Sequence, residues 1–193
     1  MNNKNKNALI SVYNKKGISE FARVLATQGY KIFATEGTGK KLRISKIPYR
    51  SAEKISKNPT AFNDCIKTIS FHIEAGILFD RLSPIHINQV AKLDIKSIDI
   101  VVCNFVDFKK MIKKPADFNI KNIDVGGPLM VRSAATNYKY VLVVVDPKDY
   151  GRVSQAIVKN KITDRLRHQL AAKAFLYTCA YDNKLIKYLK KIK

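Results

Sequence analysis

The chain is short of acidic residues, of cysteine and histidine, and of long apolar runs, and each shortage closes a class of functions. No uninterrupted apolar stretch approaches the ~18 residues a membrane helix needs, so no membrane contact is expected. Met1 to Asn7 is polar and Asn/Lys-rich. It has none of the apolar centre of a secretion signal, which predicts a flexible N-terminus and a cytoplasmic protein. The cysteines are Cys65, Cys103 and Cys179. Scattered and odd in number, they make neither a disulfide framework nor a paired zinc spacing. His72, His86 and His168 form no HxxxH or HExxH pattern, so no metal is expected. No low-complexity linker and no internal repeat breaks the 193 residues, a length that suits one domain with a sizeable core.

The acidic shortage leaves 36 basic residues against 15 acidic ones, a net charge of +21. Most of the basic residues are lysines spread along the whole chain. They cluster mildly, at Lys109-Lys110 with Lys113-Lys114 and in the tail from Lys184 to Lys193. RNP, zinc-finger and basic-zipper patterns are missing, so nucleic acid is not the expected partner. The joint abundance of Lys, Asn and Ile points instead to an A+T-biased coding sequence. An anionic small molecule would still be drawn to such a surface.

What is present reads as alternating strands and helices. Ala8 to Tyr13 is a short apolar run of the kind a buried parallel strand shows. Asn14 to Gly17 follows as a turn. Ile18, Phe21, Ala22, Leu25 and Ala26 fall at helical spacing, and Gly29 supplies the stop. Tyr30 to Thr35 is the next strand, Glu36 to Gly39 a tight loop, and Lys40 to Ser45 the start of a helix. Ile47 to Ile69, interrupted by Pro48 and Pro59, predicts a short strand and irregular structure. Ala75 to Phe79 fits a helix turn or a strand edge. Asp99 to Phe105 and Lys139 to Asp146 are buried strands. Pro147 to Val158 is a helix introduced by Asp146 and Pro147. Thr163 caps a long helix reaching Leu189. The rhythm predicts an α/β fold: one three-layer domain, with a mainly parallel sheet flanked by helices.

In such sheets ligands bind beyond the C-terminal ends of the strands. Ser11 to Gly17 lies at one such end and Thr35 to Lys40 at another. The second offers hydroxyls, glycines and a helix N-terminus to a phosphate, though it is not the GxxxxGK[ST] loop. Asn104 ends a third strand. The richest segment is Asn122-Ile-Asp-Val-Gly-Gly-Pro-Leu-Met-Val-Arg-Ser-Ala-Ala-Thr-Asn137. Gly126-Gly127 allows close backbone approach to a ligand or a positive φ. Pro128 suits a first helical turn, and Asp124 stands just before it.

That segment resembles the signature of inosine monophosphate (IMP) cyclohydrolase, a domain of the bifunctional purine-biosynthesis enzyme in the methylglyoxal-synthase-like superfamily. Several ordered segments agree. Ala8-Leu-Ile-Ser-Val with Lys15 and Gly17 fits the family's N-terminal pattern. Thr35-Glu36-Gly37-Thr38 matches its phosphate loop, and a similar stretch occurs in the nucleotide-binding domain of carbamoyl phosphate synthetase. Ile66-Lys67-Thr68, Ala75 to Leu78 and Asn104 follow at the family's spacing. Leu170 to Phe175 and Thr178 to Asp182 resemble its closing helix. The resemblance runs from about Ala8 to Leu189, within a domain expected to span 1–193. The formyltransferase domain of the bifunctional enzyme is expected to be absent.

The resemblance implies a cofactor-free and metal-free ring closure of a formamido-imidazole-carboxamide ribotide to IMP. Ser11, Lys15, Thr35, Gly37 and Thr38 would hold phosphate and ribose. Lys67 and Thr68 would contact the base and the reacting carbonyls, with Lys67 as proton donor or oxyanion stabiliser. Asp124 would orient or deprotonate the carboxamide nitrogen. Gly126 and Gly127 would offer backbone at close range, Asn104 falls in a binding segment, and Arg132 and Asn137 would support the loop. It further implies a purine ribonucleotide as substrate and product, a homodimer, and a separate formyltransferase as the source of substrate.

The chain departs from the family at Cys65 (arginine there), Ser70-Phe71 (His-Pro), Glu74 (histidine), Val106 (the tyrosine proposed as an oxyanion partner), Asp107 (proline) and Thr136 (lysine). Several of these remove donors or positive charge. An alternative is therefore a nucleotide-binding module of the same fold without turnover. Methylglyoxal synthase lacks support, because no Asp/His set of that kind is present. A nucleic-acid-binding protein rests on charge alone.

Overall fold

The computed structural model describes residues 6–59, 66–106 and 123–190. Asn122, Cys65, Asp107 and the Lys109–Lys114 cluster lie outside them. Five strands form one all-parallel sheet in the order β3-β2-β1-β4-β5. They are β1 (Lys6–Val12), β2 (Tyr30–Ala34), β3 (Arg50–Ser51), β4 (Ile100–Asn104) and β5 (Leu142–Val144). The helices are α1 (Ile18–Thr27), α2 (Glu36–Ile44), α3 (Glu53–Ser56), α4 (Phe71–Leu78), α5 (Pro84–Lys92), α6 (Gly126–Thr136), α7 (Tyr150–Val158) and α8 (Asp164–Leu189). This is the expected α/β architecture.

The central parts of β1, β2, β4 and β5 read as near-continuous apolar runs because both faces of the sheet are covered there. Alternate residues serve opposite faces. Leu9, Phe33, Val101, Cys103 and Val143 join Ile73, Ile77, Met130, Ala134 and Ala174 in one core layer. Ala8, Ile10, Ile32, Ala34, Ile100, Val102, Leu142 and Val144 join Ile18, Phe21, Leu25, Leu42 and Val153 in the other. Full burial of a side chain such as Phe21 or Leu25 contributes about 1.5–3 kcal/mol. Phe21 also stacks on Tyr150, with ring centroids 4.6 Å apart, which ties α1 to α7. Helix α8 contributes Leu170 to one layer and Ala171 and Ala174 to the other, so it closes the β5 edge of the sheet.

The structure corrects the sequence reading in several places. Glu36 to Gly39 is the first turn of α2 and not a loop. The carbonyl of Thr35 accepts from the Thr38 and Gly39 N–H groups at 3.0 and 2.8 Å. Glycine at position 39 makes room for the Tyr49 ring, which a Cβ there would meet at its outer edge. Of the two options for Ala75 to Phe79 the helix holds: Ala75 to Leu78 ends α4, Phe79 is its C-cap, and the N-cap Ser70 accepts from the His72 N–H. The last strand is shorter than expected, and Pro147–Asp149 is a 3-10 turn ahead of α7. Helix α5, Pro84–Lys92, was not anticipated. Thr163 does cap α8, its hydroxyl accepting from the Leu166 N–H at 3.2 Å.

Candidate functional site

The C-terminal ends of β1, β2 and β4 gather most of the expected site residues. At the end of β2, the Thr35 hydroxyl donates to the Ser11 hydroxyl of β1 at 3.2 Å. Thr38, one turn into α2, is fully buried. Its hydroxyl accepts from the Val12 N–H at 3.1 Å, so it locks the N-terminus of α2 to the end of β1. The Lys15 ammonium turns back to donate to the Val12 carbonyl. It lies 4.0 Å from where a Cβ on Gly37 would sit, which places a cation against the first turn of α2. No side chain caps that turn. A cation beside a helix N-terminus is electrostatically unfavourable until an anion sits between them. Burial also lowers the pKa of Lys15.

Glu36 does not place an uncompensated negative charge in this loop. It is exposed and pairs with Lys40 at 2.7 Å. That hydrogen bond chiefly holds its carboxyl below the usual range, with a further contribution from Lys67. Lys67 also acts on Asp124, so its charge links the α2 loop to the segment before α6.

Asp124 is the N-terminal cap of α6 in all but formal boundary. Its Oδ1 accepts from the Gly127 N–H at 2.8 Å. Burial pushes its carboxyl above the usual range, while the Gly127 N–H and the Lys67 charge act the other way. Gly126 and Gly127 are the first two residues of α6, and neither has a positive φ. They are glycines because of what lies against them. A Cβ on Gly126 would sit 2.2 Å from the Thr68 hydroxyl oxygen, and one on Gly127 would sit 2.7 Å from Asp124 Oδ2. The protein's own Thr68 and Asp124 approach these two glycines closely.

Asn104 supports this floor from β4. Its Oδ1 accepts from the Asn14 N–H at 2.7 Å and its Nδ2 donates to the Asn14 carbonyl at 3.3 Å, so its amide fixes the β1–α1 turn. Arg132 and Asn137 stand elsewhere. Arg132 is exposed on α6, with its guanidinium over the Phe175 ring of α8 at 5.6 Å. Asn137 follows the end of α6 and donates to the Ile77 and Phe79 carbonyls at 2.6 and 3.3 Å, capping α4. Thr136 is exposed, its hydroxyl donating to the Arg132 carbonyl.

A cleft of about 810 Å³ opens on the β4–β5 side, bounded by Lys15 and Asn104 and walled by Val106, Tyr177 and Tyr181. It borders the gathered residues rather than enclosing them. Sequence reasoning assigned no role to its α8 wall. The Tyr177 hydroxyl accepts from the Phe105 N–H at 3.1 Å, and the Tyr181 hydroxyl from the Asp124 N–H at 2.9 Å. Their spacing of one helical turn was the available signal. Among the described residues no group of His, Cys, Asp or Glu could hold a metal ion, and no helix is long and apolar enough to cross a membrane.

Comparison with known proteins bears out the resemblance. Residues 17–129 match the model of the MGS-like domain, and residues 134–193 match that of the AICARFT/IMPCHase bienzyme. The chain is 41% identical to the bifunctional purine biosynthesis protein PurH of Caldicellulosiruptor saccharolyticus over 97% of its own length. It is 42% identical to that of Caldicellulosiruptor bescii over 98%, and 36% identical to that of Staphylococcus haemolyticus over 96%. It spans only 37–38% of the length of these relatives. Among solved structures, the crystal structure of ForH superposes with a TM-score of 0.84 at 29% identity, covering 94% of this chain and 97% of that one.

Proposed function

We propose that this chain, which belongs to the MGS-like domain family, acts in purine biosynthesis by closing a formamido-imidazole-carboxamide ribotide to IMP. The observation that carries this reading is a half-buried Asp124 that caps α6 through the Gly127 N–H and feels the Lys67 charge, together with the Lys15 ammonium against the first turn of α2. The first turn of α2, with Lys15, Ser11 and Thr35, suits the ribotide phosphate. Thr38 serves by fixing that turn to β1, and Asn104 by fixing the turn that carries Lys15.

The carboxamide nitrogen adds to the formyl carbon and gives up a proton to Asp124. The formyl oxygen takes a proton from Lys67 as the tetrahedral centre forms. Asp124 then returns its proton to that hydroxyl, which leaves as water, while the formamido N–H proton passes to the Lys67 amine, and the ring is closed with both groups restored. An ordinary aspartate is a weak base at neutral pH. Burial that raises its pKa brings it nearer the optimum for proton transfer. Thr68 packs against Gly126 and holds the turn bearing Lys67 to α6. The remaining contribution is positional, since a folded substrate converts two groups on one molecule into a near-attack pair.

Val106 favours a second reading, in which the site binds the nucleotide without turnover. It leaves no donor at the position where the resemblance implies a tyrosine, and loss of one oxyanion donor costs ~10²–10³ in rate. A spectrophotometric assay of the purified chain with the ribotide, run beside calorimetry with IMP, separates the two. Turnover above the uncatalysed rate, reduced roughly 10²-fold or more in Lys67→Ala, is the expected result. Binding without turnover would establish the second reading, and neither would sink both.

A further inference from the structure

We infer that Tyr181 of α8 is a positioning residue for Asp124, holding its main chain while Gly127 holds its carboxylate. This rests on the role proposed above for Asp124. Two independent contacts fix the residue: its N–H donates to the Tyr181 hydroxyl at 2.9 Å, and its Oδ1 accepts from the Gly127 N–H at 2.8 Å. The first hydrogen bond lies outside any helix or strand ladder and is supplied by a side chain. Tyr181 is buried, and its ring meets the Phe105 ring edge-on at 5.1 Å. Its hydroxyl is therefore carried on a rigid stem. Tyr177, one turn earlier on the same face, also packs on Phe105, with ring centroids 4.8 Å apart, and accepts the Phe105 N–H. Two tyrosines thus grip the chain at the end of β4 and again just before α6.

The helix that carries them is itself anchored. The Lys173 ammonium, on α8, donates to Asp146 Oδ2 at 2.6 Å and to Asp149 Oδ2 at 2.7 Å. These carboxylates follow β5, so the register of α8 against the sheet is set one turn before Tyr177. A 1 Å misplacement of a reacting group can cost about 10²-fold in rate. A main-chain hold on the proposed base is the kind of contact that prevents one.

Tyr181→Phe keeps the ring and removes the hydroxyl, and Tyr177→Phe is the matched control. Amide exchange and carboxyl titration by nuclear magnetic resonance read the hold without needing turnover. In Tyr181→Phe the Asp124 amide is expected to exchange at least about tenfold faster. Its carboxyl should titrate at a changed pH, and kcat should fall about tenfold with KM within about twofold. In Tyr177→Phe the Phe105 amide should loosen while the Asp124 titration stays in place. Unchanged Asp124 exchange and titration in Tyr181→Phe would overturn the inference. An inert wild-type chain whose Asp124 amide still loosens in Tyr181→Phe would overturn the proposed reaction and leave the hold standing.

Discussion

Asp124 and Glu74 are two carboxylates that burial pushes in the same direction, with opposite local fates. Asp124 has a hydrogen-bond donor and a cation acting on it. Glu74, on α4, has both carboxylate oxygens buried without a hydrogen bond of good geometry, and the Ser133 side chain of α6 offsets its burial only in part. For Asp124, a raised pKa in a general base places the acidic limb of the kcat–pH profile above the usual carboxylate range of about 3.9. A limb at the ordinary value would remove burial from the mechanism. For Glu74, the folded carboxyl binds its proton more tightly than the unfolded one. The stabilisation from that proton is complete below the ordinary glutamate value of about 4.3 and is lost as pH rises through the raised folded value. Glu74→Gln, uncharged and of similar shape, should therefore raise Tm at neutral pH by a few degrees, with the gap closing in acid. Thermal melts across pH check this, and equal midpoints at neutral pH would show that Glu74 is not strained.

At the scale of elements, the strands were legible because a strand buried on both faces must be apolar throughout. Helices α1 and α8 were legible from their spacing and punctuation. Helix α5 was not, although Ser83-Pro84 marks its start and Ile87, Val90 and Ala91 fall at helical spacing, because it buries no residue and those side chains serve no core. The start of α2 was hidden because Gly-Thr-Gly has the composition of a turn, and only the Tyr49 ring beside Gly39 explains why glycine suits a helix there. The Lys67, Asp124 and Thr35–Thr38 cluster could be named from sequence, but its geometry could not. Arg132 and Asn137 sit in the same string as Asp124, yet helical rotation turns Arg132 to solvent. Helix length carries Asn137 roughly 15 Å along the axis from Gly127. The contact that docks α6 against the Lys67 turn is Gly126 on Thr68. Gly126→Ala should destabilise by roughly 1–3 kcal/mol through overpacking. Adding Thr68→Ala, which removes the oxygen that clashes, should recover part of it. Urea unfolding of the two single variants and the double one tests this, and strictly additive losses would mean the two do not meet.

At the scale of the whole molecule, a net charge of +21 is repulsive in the folded state, where the charges are closest. Exposed pairs such as Lys40–Glu36 and Lys57–Asp94 are screened by solvent and offset little of it. Tm should rise as ionic strength increases from a few millimolar to ~0.15 M, where the screening length is about 8 Å. A flat response would mean the repulsion is not felt. The same field would draw the phosphate of the proposed substrate toward the ends of β1 and β2, where Lys15 and the first turn of α2 lie together. The whole account turns on Asp124 as the base beside that anion site. Its most direct test is the rate of IMP formation by the wild-type chain and by Asp124→Asn, measured side by side on the formamido ribotide. The account predicts wild-type turnover above the uncatalysed rate and a loss of about 10²-fold or more in Asp124→Asn; equal rates from the two chains would contradict it.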